Sequence, residues 1–208
     1  MDISYSPLIR HIIHHYAYKV GDFTLSSGEK SREYIDLKSL FGNVNMLSFF
    51  ANVIVERLRN DVTVVGGMTM GADALSVAIV LCSGSFSNFM PCSQRNNIKG
   101  WFSVRKAGKG YGNEGLFVGL CGREYVAAVI EDVVTTGTST IRVLERCEEI
   151  GMRVAQIIAV VDREVGGMEK IRHYVGSGVS VGRLVGISEI RDIERGAYVK
   201  EYIDQRNK

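Results

Sequence analysis

Apolar positions along this chain fall into two rhythms. Tyr125-Val126-Ala127-Ala128-Val129-Ile130 is a continuous apolar run rich in β-branched residues, and Val154 to Val161 is another. Runs of that length and composition are expected of strands buried on both faces, as in a parallel sheet. Val62–Val65 and Trp101–Val104 predict shorter strands, and Val181–Ile187 an edge strand. Elsewhere the apolar residues recur every three or four positions, the period of a helix with one buried face. Ser6-Pro7 opens such a stretch (Leu8, Ile9, Ile12, Ile13, Tyr16) and predicts a capped helix with proline in its first turn. Further helices are expected over Asn45–Arg59, through Ala74, Val77, Ala78 and Leu81, and after residue 140. In the last of these Ile141, Leu144, Cys147 and Ile150 share a face, and Gly151 stands where a helix ends. Ser188 is expected to cap a final helix. Phe23 to Lys38 offers two β-prone runs around a Ser-Gly turn, which predicts a hairpin. Strands alternating with helices make this an α/β protein with a mostly parallel sheet.

The chemistry concentrates at one strand-to-helix junction, Glu131-Asp132-Val133-Val134-Thr135-Thr136-Gly137-Thr138-Ser139-Thr140. Threonines, serine and glycine ahead of a helix suit an anion, because small residues admit it to backbone N–H groups and the helix N-terminus favours negative charge. The two adjacent carboxylates do not suit an anion. Neighbours on a strand point to opposite sides, so Glu131 and Asp132 can grip different oxygens of a polyol such as ribose. A plain Ser/Thr helix cap would need one hydroxyl and no acid pair. The junction therefore reads as a sugar-phosphate site at the carboxyl end of a strand, where open α/β sheets place ligands.

Three other segments carry chemistry with less definition. Gly66-Gly67-Met68-Thr69-Met70-Gly71-Ala72 follows a strand and precedes a helix, which fits either an anion loop or a close-packed turn. Arg105-Lys106-Ala107-Gly108-Lys109-Gly110-Tyr111-Gly112 mixes cations with glycine and reads as a basic flap or as a solvated loop. Arg163, just past a strand, can take a carboxylate substrate in a two-pronged bond or bridge the acids beside it. His11, His14 and His15 have a spacing that can bind metal, but no glutamate follows His11 as a zinc-protease helix requires, so surface histidines are expected.

Composition narrows the classes. At 208 residues one domain can bury a full core. Twenty-five basic against 23 acidic residues, a net of +2, argues against nucleic acid or a membrane surface as partner. No apolar run approaches the roughly 18 residues that span a bilayer. No signal-peptide pattern is evident at the N-terminus, and the four cysteines show no CxxC pairing. A reducing, cytoplasmic setting is the expectation.

The acid pair followed by Thr-Thr-Gly-Thr-Ser resembles the phosphoribosyl diphosphate (PRPP) motif of type I phosphoribosyltransferases. Phe23-Thr24-Leu25-Ser26-Ser27-Gly28 with Ser31 and Tyr34-Ile35-Asp36 resembles the hood segment of the orotate phosphoribosyltransferases, and Arg105-Lys106 with Lys109 resembles their catalytic loop. The resemblance covers nearly the whole chain, with the motifs in the family's order. It implies a type I phosphoribosyltransferase-like fold in a single domain, with a hood over approximately 1–40, and possibly a C-terminal contribution to it, and a core over approximately 41–208. It implies transfer of phosphoribosyl from PRPP to orotate, giving orotidine 5-phosphate and pyrophosphate in pyrimidine (UMP) biosynthesis. Magnesium would arrive mainly on the phosphates, and a cytoplasmic homodimer would share its active sites.

Carried over residue by residue, the resemblance makes Glu131 and Asp132 the ribose-binding acids. Val133, Val134, Thr135, Thr136, Gly137, Thr138 and Ser139 become the 5-phosphate cradle, with Thr135 also near orotate. Arg105, Lys106 and Lys109 become pyrophosphate ligands and Tyr111 a substrate-binding residue, with Lys109, Glu131 and Asp132 catalytic. The 66–72 loop becomes the pyrophosphate loop, Tyr34 and Ile35 lie on the base, and Arg163 meets orotate. Three positions depart from the common pattern: Ser26 and Met70 stand where many members have lysine, and Tyr111 where many have histidine. Lys30 and Lys38 are the nearby cations that could stand in. The competing readings are transfer to another base and a regulator that senses PRPP without turnover. The acid pair and the cationic flap disfavour the regulator, which has little use for a pyrophosphate lid.

Overall fold

The structure is a computed structural model that describes residues 5–24, 28, 30–84, 97–106 and 115–193. The Ser26, Lys109 and Tyr111 positions, and most of the basic flap, lie outside the described residues. The chain opens with helix α1 (Ser6–Tyr16) and a hairpin of β1 (Tyr18–Thr24) and β2 (Lys30–Ile35). A single turn, α2 (Leu37–Leu40), follows, then α3 (Val44–Val55). The central sheet is made of β3 (Val64–Met68), β4 (Gly100–Val104), β5 (Phe117–Gly119), β6 (Val126–Val134), β7 (Arg153–Asp162) and β8 (Ser180–Gly186). Helices α4 (Asp73–Cys82), α5 (Thr138–Glu149), α6 (Gly167–Val175) and α7 (Ile187–Arg191) connect or end these strands.

The strand order is β5-β4-β3-β6-β7-β8, parallel throughout except for the antiparallel edge β5. This is the mostly parallel sheet that the continuous apolar runs predict. Alternation along β6 shows why no polar face interrupts them. Ala128 and Ile130 join the core beneath α1, α3 and α4, while Ala127 and Val129 join the core beneath α5 and α6. Successive side chains point to opposite faces and both faces are covered. The chain steps from β3 outward to β4, then returns to place β6 on the other side of β3. The carboxyl ends of β3 and β6 thus flank a topological switch point, where a doubly wound sheet opens a crevice.

Several expectations need correction. β3 does not stop at Val65 but runs through Gly66 and Gly67 to Met68, because the neighbouring strands come too close for a side chain. A Cβ on Gly67 would sit 2.2 Å from the Ile130 carbonyl oxygen. The turn is left to Thr69 through Ala72. On α4 the packed residues are Leu75, Ser76, Ala78, Ile79 and Val80, while Val77 and Leu81 are exposed with Met70. A helix apolar on every side has no unique inward face. In α5 the sheet is met by Thr140, Val143, Leu144 and Cys147, with Ile141 and Ile150 only partly covered. Ser6 does not cap α1, whose N-cap is Tyr5 with no side-chain bond. Ser188 lies inside α7, its N–H donating to Glu164 Oε2 at 3.0 Å. Tyr16 faces solvent. The edge strand β5, α2 and α6 were not anticipated. Among the described residues no helix is long and apolar enough to cross a membrane.

Candidate active site

A cavity of about 360 Å³ opens at the carboxyl ends of β3, β6 and β7, roofed on one side by the β1–β2 hairpin. It brings together Tyr34, Ile35, Lys106, Glu131, Asp132, the whole 133–139 segment and Arg163. Arg105 is described but does not line the cavity; it follows β4, its N–H donated to the Leu116 carbonyl at 2.8 Å. Lys109 and Tyr111 lie outside the described residues. The cavity also takes in Met68, Thr69, Met70 and Gly71 of the glycine loop and the stand-in Lys38, together with Thr24 and Thr140, to which no role had been given.

β6 continues through both acids, so the pleat separates them as two neighbours on a strand must be. Glu131 points to the α5 side, where Thr140 Oγ1 donates to its Oε2 at 2.8 Å. Asp132 points to the α2 side, where its Oδ2 lies 3.1 Å from Lys38 Nζ. Its Oδ1 accepts the Val133 N–H at 2.9 Å. Each residue is only 6% exposed, so both carboxyls are withdrawn from water at the floor of the cavity. Burial, and then the charge of Asp132, push the Glu131 carboxyl up to about 8. A neutral Glu131 is the form that a buried acid beside another acid adopts. Burial works against the Lys38 charge, but Asp132 outweighs it and the ammonium is held above its usual range.

Lys38 reaches this position through the hairpin. Asp36 caps α2 by accepting the Ser39 N–H at 3.2 Å and the Ser39 hydroxyl at 2.8 Å, and Lys19 of β1 pairs with it at 2.9 Å. The capped turn aims the next residue but one into the cavity. One of the two stand-in lysines therefore does reach the acid pair.

At the mouth of α5, Gly137 adopts φ +72°, a conformation that costs glycine little. No side chain caps the helix, and the Thr136 and Thr138 hydroxyls meet each other at 3.0 Å. The first N–H groups of an uncapped helix, flanked by hydroxyls, form an anion site. Across the cavity, Thr69 Oγ1 is 2.5 Å from Ser103 Oγ, which donates to Asp73 Oδ1 at 2.7 Å. These bonds tie the 69–72 turn to β4 and to the first turn of α4. Met70 is 69% exposed.

Arg163 follows β7 in a turn whose next residue, Glu164, has φ +56°, an uncommon value for a non-glycine residue. Bonds from Ser188 N–H and Arg183 to the Glu164 carboxylate hold that turn. Arg163 Nη2 donates to Ser31 Oγ at 3.1 Å and lies 3.6 Å from Glu33 Oε1. Its guanidinium is thus anchored from the hairpin at the rim of the cavity.

No protein-family profile matches the chain. Among curated proteins, the orotate phosphoribosyltransferase of Aquifex aeolicus (strain VF5) is 36% identical over 176 residues, covering 83% of this chain and 90% of the relative. That of Thermosynechococcus vestitus is 32% identical over 175 residues, covering 84% and 86%. Among solved structures, the Mycobacterium tuberculosis H37Rv orotate phosphoribosyltransferase in complex with PRPP superposes with a TM-score of 0.67. It is 25% identical and covers 89% of this chain and 98% of its own. Descent shared at this level along four-fifths of the chain, together with the same architecture, places the protein in the orotate phosphoribosyltransferase family.

Proposed function

We propose that this cavity transfers the phosphoribosyl group of PRPP to orotate, releasing pyrophosphate and forming orotidine 5-phosphate for pyrimidine (UMP) synthesis. The observation that carries this reading is one cavity joining the buried pair Glu131 and Asp132, the uncapped start of α5, and Arg163 under the hairpin. The α5 mouth, with residues 133–139, offers a cradle for the 5-phosphate. Glu131 and Asp132, turned to opposite sides, suit two ribose hydroxyls. Tyr34 and Ile35 offer a face to the planar base, and Arg163 suits its carboxylate. Lys106, with Arg105 and Lys109 of the flap, is assigned to the diphosphate, and Tyr111 to substrate binding.

Breaking the anomeric C–O bond leaves positive charge on the ribose and negative charge on pyrophosphate while the orotate nitrogen bonds to the same carbon. The Asp132 charge under the sugar and cations near the diphosphate stabilise the two charges, which is electrostatic preorganisation, while the neutral Glu131 carboxyl can hydrogen-bond a ribose hydroxyl. Asp132 begins paired to Lys38, so the incoming hydroxyl exchanges one partner for another instead of meeting a bare charge. A lid over the diphosphate keeps water from capturing the ribosyl cation. Magnesium, when bound, neutralises diphosphate oxygens; the carboxylates of the site are hard oxygen donors of the kind it accepts alongside phosphate and water.

The chain is further proposed to be one domain, with a hood near 1–40 on a core from about 41, working in the cytoplasm as a homodimer. The exposed apolar stripe of Met70, Val77 and Leu81 beside the cavity supports a partner surface there. The test is incubation with PRPP, magnesium and a panel of orotate, adenine, hypoxanthine and uracil, following orotate absorbance and pyrophosphate release. Orotate alone should react. Turnover of a purine without orotate would overturn the reading.

A further inference from the structure

Behind Arg163 lies a carboxylate that ought to compete with any substrate carboxylate. Glu33 of β2 is buried to 15% exposure, its Oε1 3.6 Å from Arg163 Nη2. At that distance the two do not share a hydrogen bond. The Glu33 charge is directed elsewhere. Arg191, on α7, donates from Nη2 to Oε1 and from Nε to Oε2, the latter at 2.9 Å. The Tyr18 hydroxyl donates to Oε2 as well, also at 2.9 Å. The Arg191 bonds, which outweigh the opposing effect of burial, hold Glu33 below the usual carboxylate range, with smaller help from the Tyr18 bond and the Arg163 charge. The two-pronged bond from Arg191 is the strongest arrangement open to this carboxylate. Among the described residues Arg163 donates a hydrogen bond to the neutral Ser31 hydroxyl at 3.1 Å, and its ion pair with Glu33 at 3.6 Å carries no hydrogen bond.

The group thus holds two guanidiniums and one carboxylate, with the carboxylate bound to the guanidinium farther from the cavity. Arg163 lines the cavity and Arg191 does not. We infer that Arg191 is a positioning residue for substrate choice: by hydrogen-bonding both oxygens of Glu33, it leaves the Arg163 N–H groups that Glu33 would otherwise take available to the carboxylate of the base. Without Arg191, Glu33 and its nearest remaining cation, Arg163, would close on each other, and the substrate carboxylate would have to break that pair to bind. The partners come from three elements distant in sequence, β2, the end of β7 and α7. Helix α7 is itself held to α1, where His14 Nδ1 meets the Ile190 carbonyl at 2.9 Å.

This inference rests on the assignment of Arg163 to the orotate carboxylate, and the experiment separates the two. Arg191→Gln, Glu33→Gln, the double variant Glu33→Gln/Arg191→Gln, and Arg163→Gln are purified and assayed with orotate and PRPP each varied. Arg191→Gln should raise the orotate KM about tenfold and leave the PRPP KM and kcat at saturating orotate within about twofold. The double variant, with no carboxylate left to capture Arg163, should bring the orotate KM back to within about twofold of wild type. A merely structural loss of α7 would instead move the PRPP KM and kcat along with the orotate KM, so the rescue counts only where those two stay within about twofold throughout. An unchanged orotate KM in Arg191→Gln overturns the inference, and so does a raised KM that the second substitution fails to reverse. If Arg163→Gln leaves the orotate KM unchanged while the wild type consumes orotate, the proposed reaction stands and this inference falls. A wild type that consumes no orotate removes both.

Discussion

Neighbouring side chains on one strand carry most of the chemistry, and they are given different environments. Glu131 is driven towards its neutral form by burial and by Asp132, whereas Asp132 has Lys38 within 3.1 Å. The perturbation of Glu131 has a consequence for stability. Its carboxyl titrates near 4.5 when unfolded and at about 8 when folded, so the native state holds a proton that the unfolded chain has released across that interval. A raised folded pKa contributes stability that is fully present below the unfolded value and is lost as pH rises through the folded one. Urea unfolding between pH 5 and 8 should therefore show stability falling with pH, by at most about 1.4 kcal/mol per pH unit from this one group. Glu131→Gln removes the group and should flatten that part of the profile. Parallel profiles for the two proteins would show that Glu131 does not carry the proton.

At the scale of elements, the site depends on how closely β3 and β6 approach. Their ladder covers Val64 to Gly66 on β3 and Ala127 to Val129 on β6, and just beyond it Gly67 faces the Ile130 carbonyl. A Cβ at Gly67 would also come within 2.7 Å of the Ala72 Cβ, so neither contact can be relieved by rotating a long side chain. Gly67→Ala must part the strands at the switch point, one residue before Glu131. Overpacking of this kind costs about 1–3 kcal/mol, and each kcal/mol lowers the melting temperature by about 2–4 °C in a chain of this size. Gly178→Ala is the control, since a Cβ there meets nothing within 4 Å. Calorimetry on both variants decides it: equal melting temperatures would mean that the sheet has slack at Gly67.

On the scale of the whole molecule, the proposed homodimer makes a prediction about complementation. If the flap of each subunit serves its neighbour's cavity, Lys109→Ala spoils the lid and Asp132→Asn the floor, and each pure dimer is nearly inactive. In a mixed dimer one cavity combines both lesions and the other combines an intact floor with an intact lid. Random exchange makes about half the dimers mixed, which restores activity to roughly a quarter of wild type. Mixing the purified variants under exchange conditions and following orotate consumption reads this directly. A mixture as inactive as its parents, with exchange verified, would confine the flap to its own subunit.

What the amino-acid order determined by itself was local. Continuous apolar runs marked the long strands β6 and β7, and a period of 3.6 marked the helices α1, α3 and α5, because strand pleat and helix turn are imposed by backbone geometry alone. The Glu-Asp-to-Thr-Ser junction was legible for the same reason: a strand, a turn and a helix N-terminus are contiguous in sequence. The adjacency of Glu131 and Asp132 was enough to foresee that they would face opposite sides. What tertiary structure alone decided was every partnership across elements. Which face of the uniformly apolar α4 is buried follows from what packs against it, as does the passage of β3 through two glycines. Lys38 reaches Asp132 only because Asp36 caps a turn beneath the hairpin. Arg163 and Arg191 are brought to either side of Glu33 by β2, β7 and α7. Each such contact spans tens of residues or more and is selected by the closing of loops around a shared core, so no spacing along the chain encodes it.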